Sequence, residues 1–217
     1  PLDSSAASDV YKRQNLYRNQ LFSQGKSLTQ ITNIITDKFD LNCKILPMSD
    51  NLVSTKIKTS NGKLLDFQEY FVELKSEPEI SDVIYLESEK ADITMEVSNA
   101  LDQADKIVVG PSNPILSIGP ILAIQNLKEK LTNNSSTYVV SPFIENKAIK
   151  GPSKKNFEDL GYKSDITGIK EFYNNIGNYY IVQSGDTDKA ENTIEKNILF
   201  KSLEDSTNLA RYIVDHE

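Results

Sequence analysis

A single histidine and a single cysteine among 217 residues narrow the chemistry before any motif is read. His216 is penultimate, where a side chain is expected to be solvated, so neither a Ser-His-Asp nor a Cys-His nucleophile can be assembled. Zinc lacks a ligand set for the same reason. Magnesium, which asks only for a carboxylate or two plus substrate phosphates, stays open. Cys43 alone excludes an internal disulfide framework and fits a reducing cytoplasm. Set in the apolar run 43–46, it is expected to pack in the core. No apolar run reaches the roughly 18 residues of a membrane span. A net charge of −7 argues against broad nucleic-acid binding, which needs phosphates neutralised by Lys and Arg.

What is present is ordinary for a globular chain: 38% hydrophobic and 25% charged residues, enough to bury a core in one large domain or two small ones. Residues 1–14 (PLDSSAASDVYKRQ) stand apart. They lack an initiator Met, a helical period and the apolar stretch of a secretory signal. They read as a translated adapter or a disordered tail, with the natural sequence expected from about Asn15.

From Asn15 a helix carrying Leu16, Leu21 and Phe22 runs to Gly25. Ser27-Leu28-Thr29-Gln30 is a capping box for a second helix with Leu28, Ile31, Ile34, Ile35 and Phe39 on one face. A buried strand is expected over 43–46. Val53, Thr55, Ile57 and Thr59 alternate, Asn61-Gly62 suggests a type I′ turn, and Leu65 and Phe67 return, which together predict a β-hairpin. A strand over 82–86 follows. Then helices and strands alternate: a helix through Ile93, Val97 and Leu101, a strand over 106–109, a helix over about 117–131 interrupted near Gln125, and a strand over 137–141. Asp165 can cap a helix bearing Ile166, Ile169, Phe172, Tyr173 and Ile176. Short strands are expected over 178–182 and 198–200, and Ser-x-x-Asp from Ser202 opens the last helix. The alternation predicts an α/β fold with a mostly parallel sheet covered on both faces, whose ligands bind beyond the carboxyl ends of the strands.

Three segments lie where such a rim is expected. Gly110-Pro111-Ser112-Asn113-Pro114, running on to Ser117 and Gly119, joins a strand to a helix; backbone N–H groups aimed there suit a phosphate or another anion. It matches neither G-x-G-x-x-G nor the P-loop. Leu46-Pro47-Met48-Ser49-Asp50, with Ser54-Thr55 after it, reads equally as a substrate-contacting loop or as a polar turn. Lys150-Gly151-Pro152-Ser153-Lys154-Lys155 reads as a solvated turn before it reads as an anion loop.

Taken in order, these segments resemble one family. Ile45 to Asp50 with Val53-Ser54-Thr55, Asp66-Phe67-Gln68, Gly110 to Pro114 with Ser117-Ile118-Gly119-Pro120-Ile121, Val140-Ser141-Pro142 and Lys150-Gly151-Pro152 are similar to motifs of the 2-phospho-L-lactate transferases, from about Asn15 to the end. The resemblance implies a Rossmann-like three-layer sandwich with a β-hairpin excursion. It also implies transfer of a phospholactyl or phosphoenolpyruvyl group from a GDP-activated donor to the deazaflavin Fo, releasing GMP with Mg²⁺, in coenzyme F420 biosynthesis by a cytoplasmic homodimer. Residue by residue, it points to Gly110, Ser112, Asn113, Ser117 and Gly119 for the nucleotide and diphosphate, with Lys150 neutralising phosphate. Met48, Ser49, Ser54 and Thr55 fall to the deazaflavin side, and Asp50 is the choice for metal ligand or proton acceptor. The family's Gly-rich first phosphate loop and its acidic segment have no counterpart here. Residues 15–217 are therefore expected to be the C-terminal two thirds of the transferase domain, with its first strand or strands missing, and to be inactive alone. A non-enzymatic relative, the nucleotide-sugar-binding regulator of the gluconeogenesis-factor type, is the alternative. Its turn reads more like Gly-Pro-Gly-Ser, so Ser112 and Asn113 favour the transferase.

Overall fold

In the computed structural model, which describes residues 4–134, 136–144, 147–148, 151–186 and 190–216, the chain opens with two helices, α1 (Ser4–Ser23) and α2 (Leu28–Thr36). The first starts at Ser4 and runs unbroken through the point where the leader was expected to end. The second begins as its capping box predicts: the Ser27 hydroxyl accepts from the N–H of Gln30, and the Gln30 amide oxygen accepts from the N–H of Ser27.

Strands β1 (Ser54–Thr59), β2 (Leu64–Asp66) and β3 (Ile80–Leu86) form an antiparallel sheet in the order β2-β1-β3. The hairpin is there, but its turn is not type I′. Only Gly62 has a left-handed backbone (φ +82°), and its N–H closes on the Thr59 carbonyl at 2.8 Å, so the loop is a type I turn with a glycine bulge.

Beyond it, α3 (Met95–Asp102), β4 (Ile107–Val109), a five-residue π-helical turn (Pro114–Ile118), α4 (Gly119–Leu122), α5 (Leu127–Asn133) and β5 (Thr137–Val140) follow. The predicted interruption falls at Asn126, which is left-handed (φ 68°) between α4 and α5. A short hairpin, β6 (Phe143–Ile144) with β7 (Lys147–Ala148), leads to α6 (Ser153–Asp159) and α7 (Ile166–Tyr173). The chain finishes with β8 (Tyr179–Gln183), β9 (Thr193–Lys196) and α8 (Leu203–Asp215). Four strands make a parallel sheet in the order β4-β5-β8-β9.

Both faces of that sheet are buried, as continuous apolar strands require. Val139, Tyr180 and Val182 face the main core with Ile115, Phe157, Ile166, Ile169 and Tyr173, and Ile57, Leu65, Tyr70 and Ile80 of the antiparallel unit join the same cluster. Tyr138, Val140 and Ile181 face the other way, under Leu209 and Ile213 of α8. The result is the three-layer, Rossmann-like arrangement. Among the described residues no helix is long and apolar enough to cross a membrane.

Four further expectations are corrected. Residues 43–46 form no strand and pair with none of the described strands, so Cys43 is exposed and Ile45 is 47% exposed. The strand expected at 198–200 lies upstream as β9; the N–H groups of Ile198 and Leu199 instead donate to the Gln183 side chain. The Lys-rich segment after Gly151 is a helix, α6, whose inward face is Ser153, Asn156 and Phe157. Two polar residues of three leave no apolar period to read. His216 is not simply solvated: its Nδ1 shares a 2.7 Å hydrogen bond with the buried Tyr138 hydroxyl.

Asp205 closes the capping box of α8. Its carboxylate accepts from the N–H of Lys201 (2.8 Å) and Ser202 (2.9 Å), the Ser202 hydroxyl and the Asn197 amide. The Lys201 N–H above all holds its pKa below the usual carboxylate value. The ionised form is thus favoured by folding. Its contribution is complete above the ordinary value and is lost as pH falls through the lowered one. Asp205→Asn is expected to flatten the acid limb of the stability profile below the ordinary aspartate value, measured by urea unfolding at stepped pH. An unchanged slope would show that this carboxylate does not titrate with folding.

Candidate functional site

Val109 of β4 sits in register with Val139 of β5, so the carboxyl ends of two adjacent parallel strands meet where Gly110 begins. Gly110, Pro111 and Ser112 are exposed, and the Ser112 N–H folds back onto the Gly110 carbonyl at 2.8 Å. Among the described residues, flanking ones aside, no atom lies within 4 Å of a Cβ added at Gly110, and its backbone is not left-handed. Neither packing nor a turn demands glycine there.

Asn113 then starts the helical turn. Its Oδ1 accepts from the N–H groups of Ile115 and Leu116, both at 3.0 Å, while Pro114 at the first helical position has no N–H to satisfy. Its carbonyl accepts from Ser117 (2.9 Å) and Ile118 (3.1 Å). Its Nδ2 donates to Oδ1 of Asn156 in α6 at 3.2 Å. Asn113 therefore acts first as the turn's cap. Ser117 is half-buried along the same turn.

Gly119 is buried, and a Cβ on it would stand 2.0 Å from the Tyr85 hydroxyl. That phenol, from β3, donates to the Ile115 carbonyl at 2.6 Å; burial first, and then the neighbouring Tyr162, push its pKa well above the usual value, which keeps the donor protonated. Gly119 serves close packing of β3 on the turn. A cleft of about 370 Å³ opens alongside, walled by Val83, Tyr85, Ile115, Leu160, Tyr162 and Phe172.

The structure divides the remaining candidates. Ser54 and Thr55, half-buried, open β1, and Thr55 lies directly across from Tyr85, so they belong to the same neighbourhood through that residue. Met48 is half-buried, and Ser49 and Asp50 are anchored to other partners. The buried Ser49 hydroxyl donates to the Asp92 carbonyl at 2.6 Å, and Asp50 Oδ1 accepts the Thr29 N–H at 2.7 Å, at the start of α2. These are contacts that a polar turn makes, one of the two readings of this loop. A carboxylate at a helix N-terminus is held there by the aligned peptide dipoles.

A magnesium ion here would rest on one carboxylate with substrate phosphates rather than on a cluster of acidic side chains. Among the described residues no three His, Cys, Asp or Glu side chains cluster, and Asp50 has one oxygen committed to Thr29. Lys150 lies outside the described residues. Of its neighbours, Lys155 is committed to Asp159 (2.6 Å) and the Pro78 carbonyl (2.7 Å), and Asp159 in turn accepts the Ile80 N–H. Ser141, in the Val140-Ser141-Pro142 motif, spends its hydroxyl on the backbone of Phe143.

Two of the rim segments are thus brought together, the Gly110 turn and the helix after Gly151, by the Asn113–Asn156 hydrogen bond. Tyr85 and Asn156 were invisible to motif reading. Each is a lone polar residue, and its meaning resides in a partner distant along the chain.

The family model for 2-phospho-L-lactate transferase CofD matches residues 7–209. The chain is 32% identical over 214 residues to a 2-phospho-L-lactate transferase of Methanocaldococcus jannaschii, covering 95% of this chain and 68% of that protein. It is 34% identical over 209 residues to that of Methanococcus vannielii, covering 93% and 66%. A crystal structure of a UPF0052-family protein from Bacillus halodurans superposes with a TM-score of 0.67 over 93% of this chain and 71% of that one; at 13% identity the likeness speaks for the fold alone. Spanning about two thirds of the length of the transferases it matches, the chain belongs to the 2-phospho-L-lactate transferase (CofD) family.

Proposed function

We propose that the protein transfers a phospholactyl or phosphoenolpyruvyl group from a GDP-activated donor to the deazaflavin Fo, within F420 biosynthesis. The side-chain hydroxyl oxygen of Fo forms a bond to the donor phosphorus that carries the lactyl or enolpyruvyl group. The bond from that phosphorus to the bridging oxygen breaks, GMP leaves with that oxygen, and the hydroxyl proton is lost. A displacement of this kind rests on positioning and charge neutralisation more than on a protein nucleophile, which agrees with a chain carrying one histidine and one exposed cysteine.

The observation that carries the reading, in a chain of this family, is Gly110. It is exposed at the carboxyl end of β4, beside β5, and among the described residues nothing fills the space where a side chain would be or calls for glycine there. A backbone left bare at that point suits close approach of a diphosphate. Ser112 and Ser117 are its proposed polar companions, Asn113 and Gly119 its framework, and Ser54 and Thr55 the deazaflavin side. Mg²⁺ and a homodimer, both expected in the family, complete the proposal, with Asp50 the candidate carboxylate for the ion beside the substrate phosphates.

The test uses the gene product at the length of its relatives, incubated with Fo, Mg²⁺ and each GDP-activated donor. Mass spectrometry should find phospho-adducted Fo together with GMP and identify the acyl group. Gly110→Ala should leave unfolding within about 0.5 kcal/mol of the parent while weakening donor binding. No product, with tight nucleotide-sugar binding, would move the protein to the regulatory reading.

A further inference from the structure

Asn156, preceded in α6 by two lysines and followed by the buried Phe157, is an amide with no exposure at all, and it touches no solvent that could satisfy it. Such a group is retained only where its hydrogen bonds are made. Its Oδ1 accepts from Asn113 Nδ2 at 3.2 Å, and its Nδ2 donates to the Tyr70 hydroxyl at 2.8 Å. Tyr70, equally buried and part of a π-helical segment (Glu69–Glu73) that follows β2, donates onward to the Ser76 carbonyl at 3.2 Å.

The direction of this relay is fixed at both ends by backbone. The Ser76 carbonyl can only accept, so the Tyr70 hydroxyl must donate to it and must accept from Asn156. At the other end the N–H groups of Ile115 and Leu116 can only donate, so the Asn113 oxygen must face them and its NH₂ must face Asn156. Neither amide can turn over without setting donor against donor in a buried place. Burial pushes the Tyr70 pKa up, so the phenol remains a donor at neutral pH.

We propose that Asn156 and Tyr70 are positioning residues for the nucleotide-binding turn, locking the Asn113 cap and with it the Gly110–Ser112 backbone, and coupling that turn to the antiparallel unit. The second tie between α6 and that unit, Lys155 with Asp159 and the Ile80 N–H, makes the helix a strut rather than a hinge. The inference rests on the transferase reading of the preceding subsection.

The test is made on the relatives-length protein with Tyr70→Phe and the near-isosteric Asn156→Leu. Loss of positioning should raise KM for the GDP-activated donor, and Kd for GDP by calorimetry, roughly tenfold, with KM for Fo unchanged. A merely structural role would lower the active fraction, reducing kcat with both KM values intact, and that result overturns the proposal. GDP should also slow hydrogen exchange across residues 69–76 in the parent but not in Tyr70→Phe; equal protection in both overturns the coupling. If Asn156→Leu does not fold, Tyr70→Phe, which removes one buried hydroxyl, decides alone. A parent that binds no GDP fails the transferase reading and the relay with it, whereas a parent that binds GDP and a Tyr70→Phe variant with the parent's KM and Kd fail the relay only.

Discussion

Replacing Gly168 with alanine is expected to destabilise the chain by about 3 kcal/mol, although glycine to alanine inside a helix ordinarily gains between about 0.5 and 1 kcal/mol. Gly168 is the third residue of α7 and is buried. A Cβ there would lie 2.0 Å from the Lys163 carbonyl oxygen, 2.9 Å from its carbon and 3.0 Å from the Lys163 nitrogen. All three are backbone atoms, so no side-chain rotation can relieve the overlap and the chain leading into the helix must retreat. That chain carries the cap. Asp165 Oδ1 accepts from the N–H groups of Thr167 (2.8 Å) and Gly168 (3.0 Å) and from the Thr167 hydroxyl (2.6 Å). Moving Lys163 therefore costs the steric shift and part of the cap together. Urea unfolding of Gly168→Ala against the parent reads the sum. A stability equal to or above the parent's would mean that residues 163–165 do not lie against α7 as described.

Helix starts were the most legible part of this fold, because a cap is written in adjacent residues. Ser27 with Gln30, Asp165 with Thr167 and Gly168, and Ser202 with Asp205 all act within one turn of themselves. The strands of the parallel sheet were legible where both faces are buried, as at Thr137–Val140 and Tyr179–Gln183. Thr193–Lys196 escaped because it is the last strand in the sheet order and its residues are only partly buried, which leaves a polar pattern. The run 43–46 misled in the opposite sense: apolar residues propose a strand, but only a partner makes one, and none of the described strands supplies it. The site divides on the same principle. That a turn with bare backbone would stand after Val109 could be read from Gly, Pro and Asn in series. Which of its small residues face outward could not, because Gly119 answers to Tyr85 and Asn113 to Asn156, each from an element whose own sequence says nothing about the turn. The contact of Asp50 with the N-terminus of α2, 21 residues away, was likewise not legible in its own loop.

Gly119→Ala is the second large effect, and unlike Gly168→Ala it should be open to rescue. The added Cβ would meet the Tyr85 hydroxyl at 2.0 Å, its Cζ at 2.7 Å and the Pro114 carbonyl at 3.1 Å. The first two belong to the far end of a side chain, which can swing away. Doing so breaks the 2.6 Å hydrogen bond to the Ile115 carbonyl and leaves that oxygen short of a donor beneath the turn. Overpacking and the lost hydrogen bond together should cost about 2–3 kcal/mol. Tyr85→Phe alone should cost about 1 kcal/mol for the hydrogen bond. In the double variant the hydroxyl is already gone and only the ring edge remains in the way, so the losses should fall short of their sum by on the order of 1 kcal/mol. The effect should extend to function by a stated route. Ile115 is the residue whose N–H the Asn113 cap holds and whose carbonyl Tyr85 holds, so displacing Tyr85 loosens the turn from the side opposite the cap. GDP affinity should therefore fall in Gly119→Ala and recover in part with Tyr85→Phe beside it. Strictly additive losses across the cycle would mean that Tyr85 does not rest on Gly119, and with that the antiparallel sheet would lose its place against the turn.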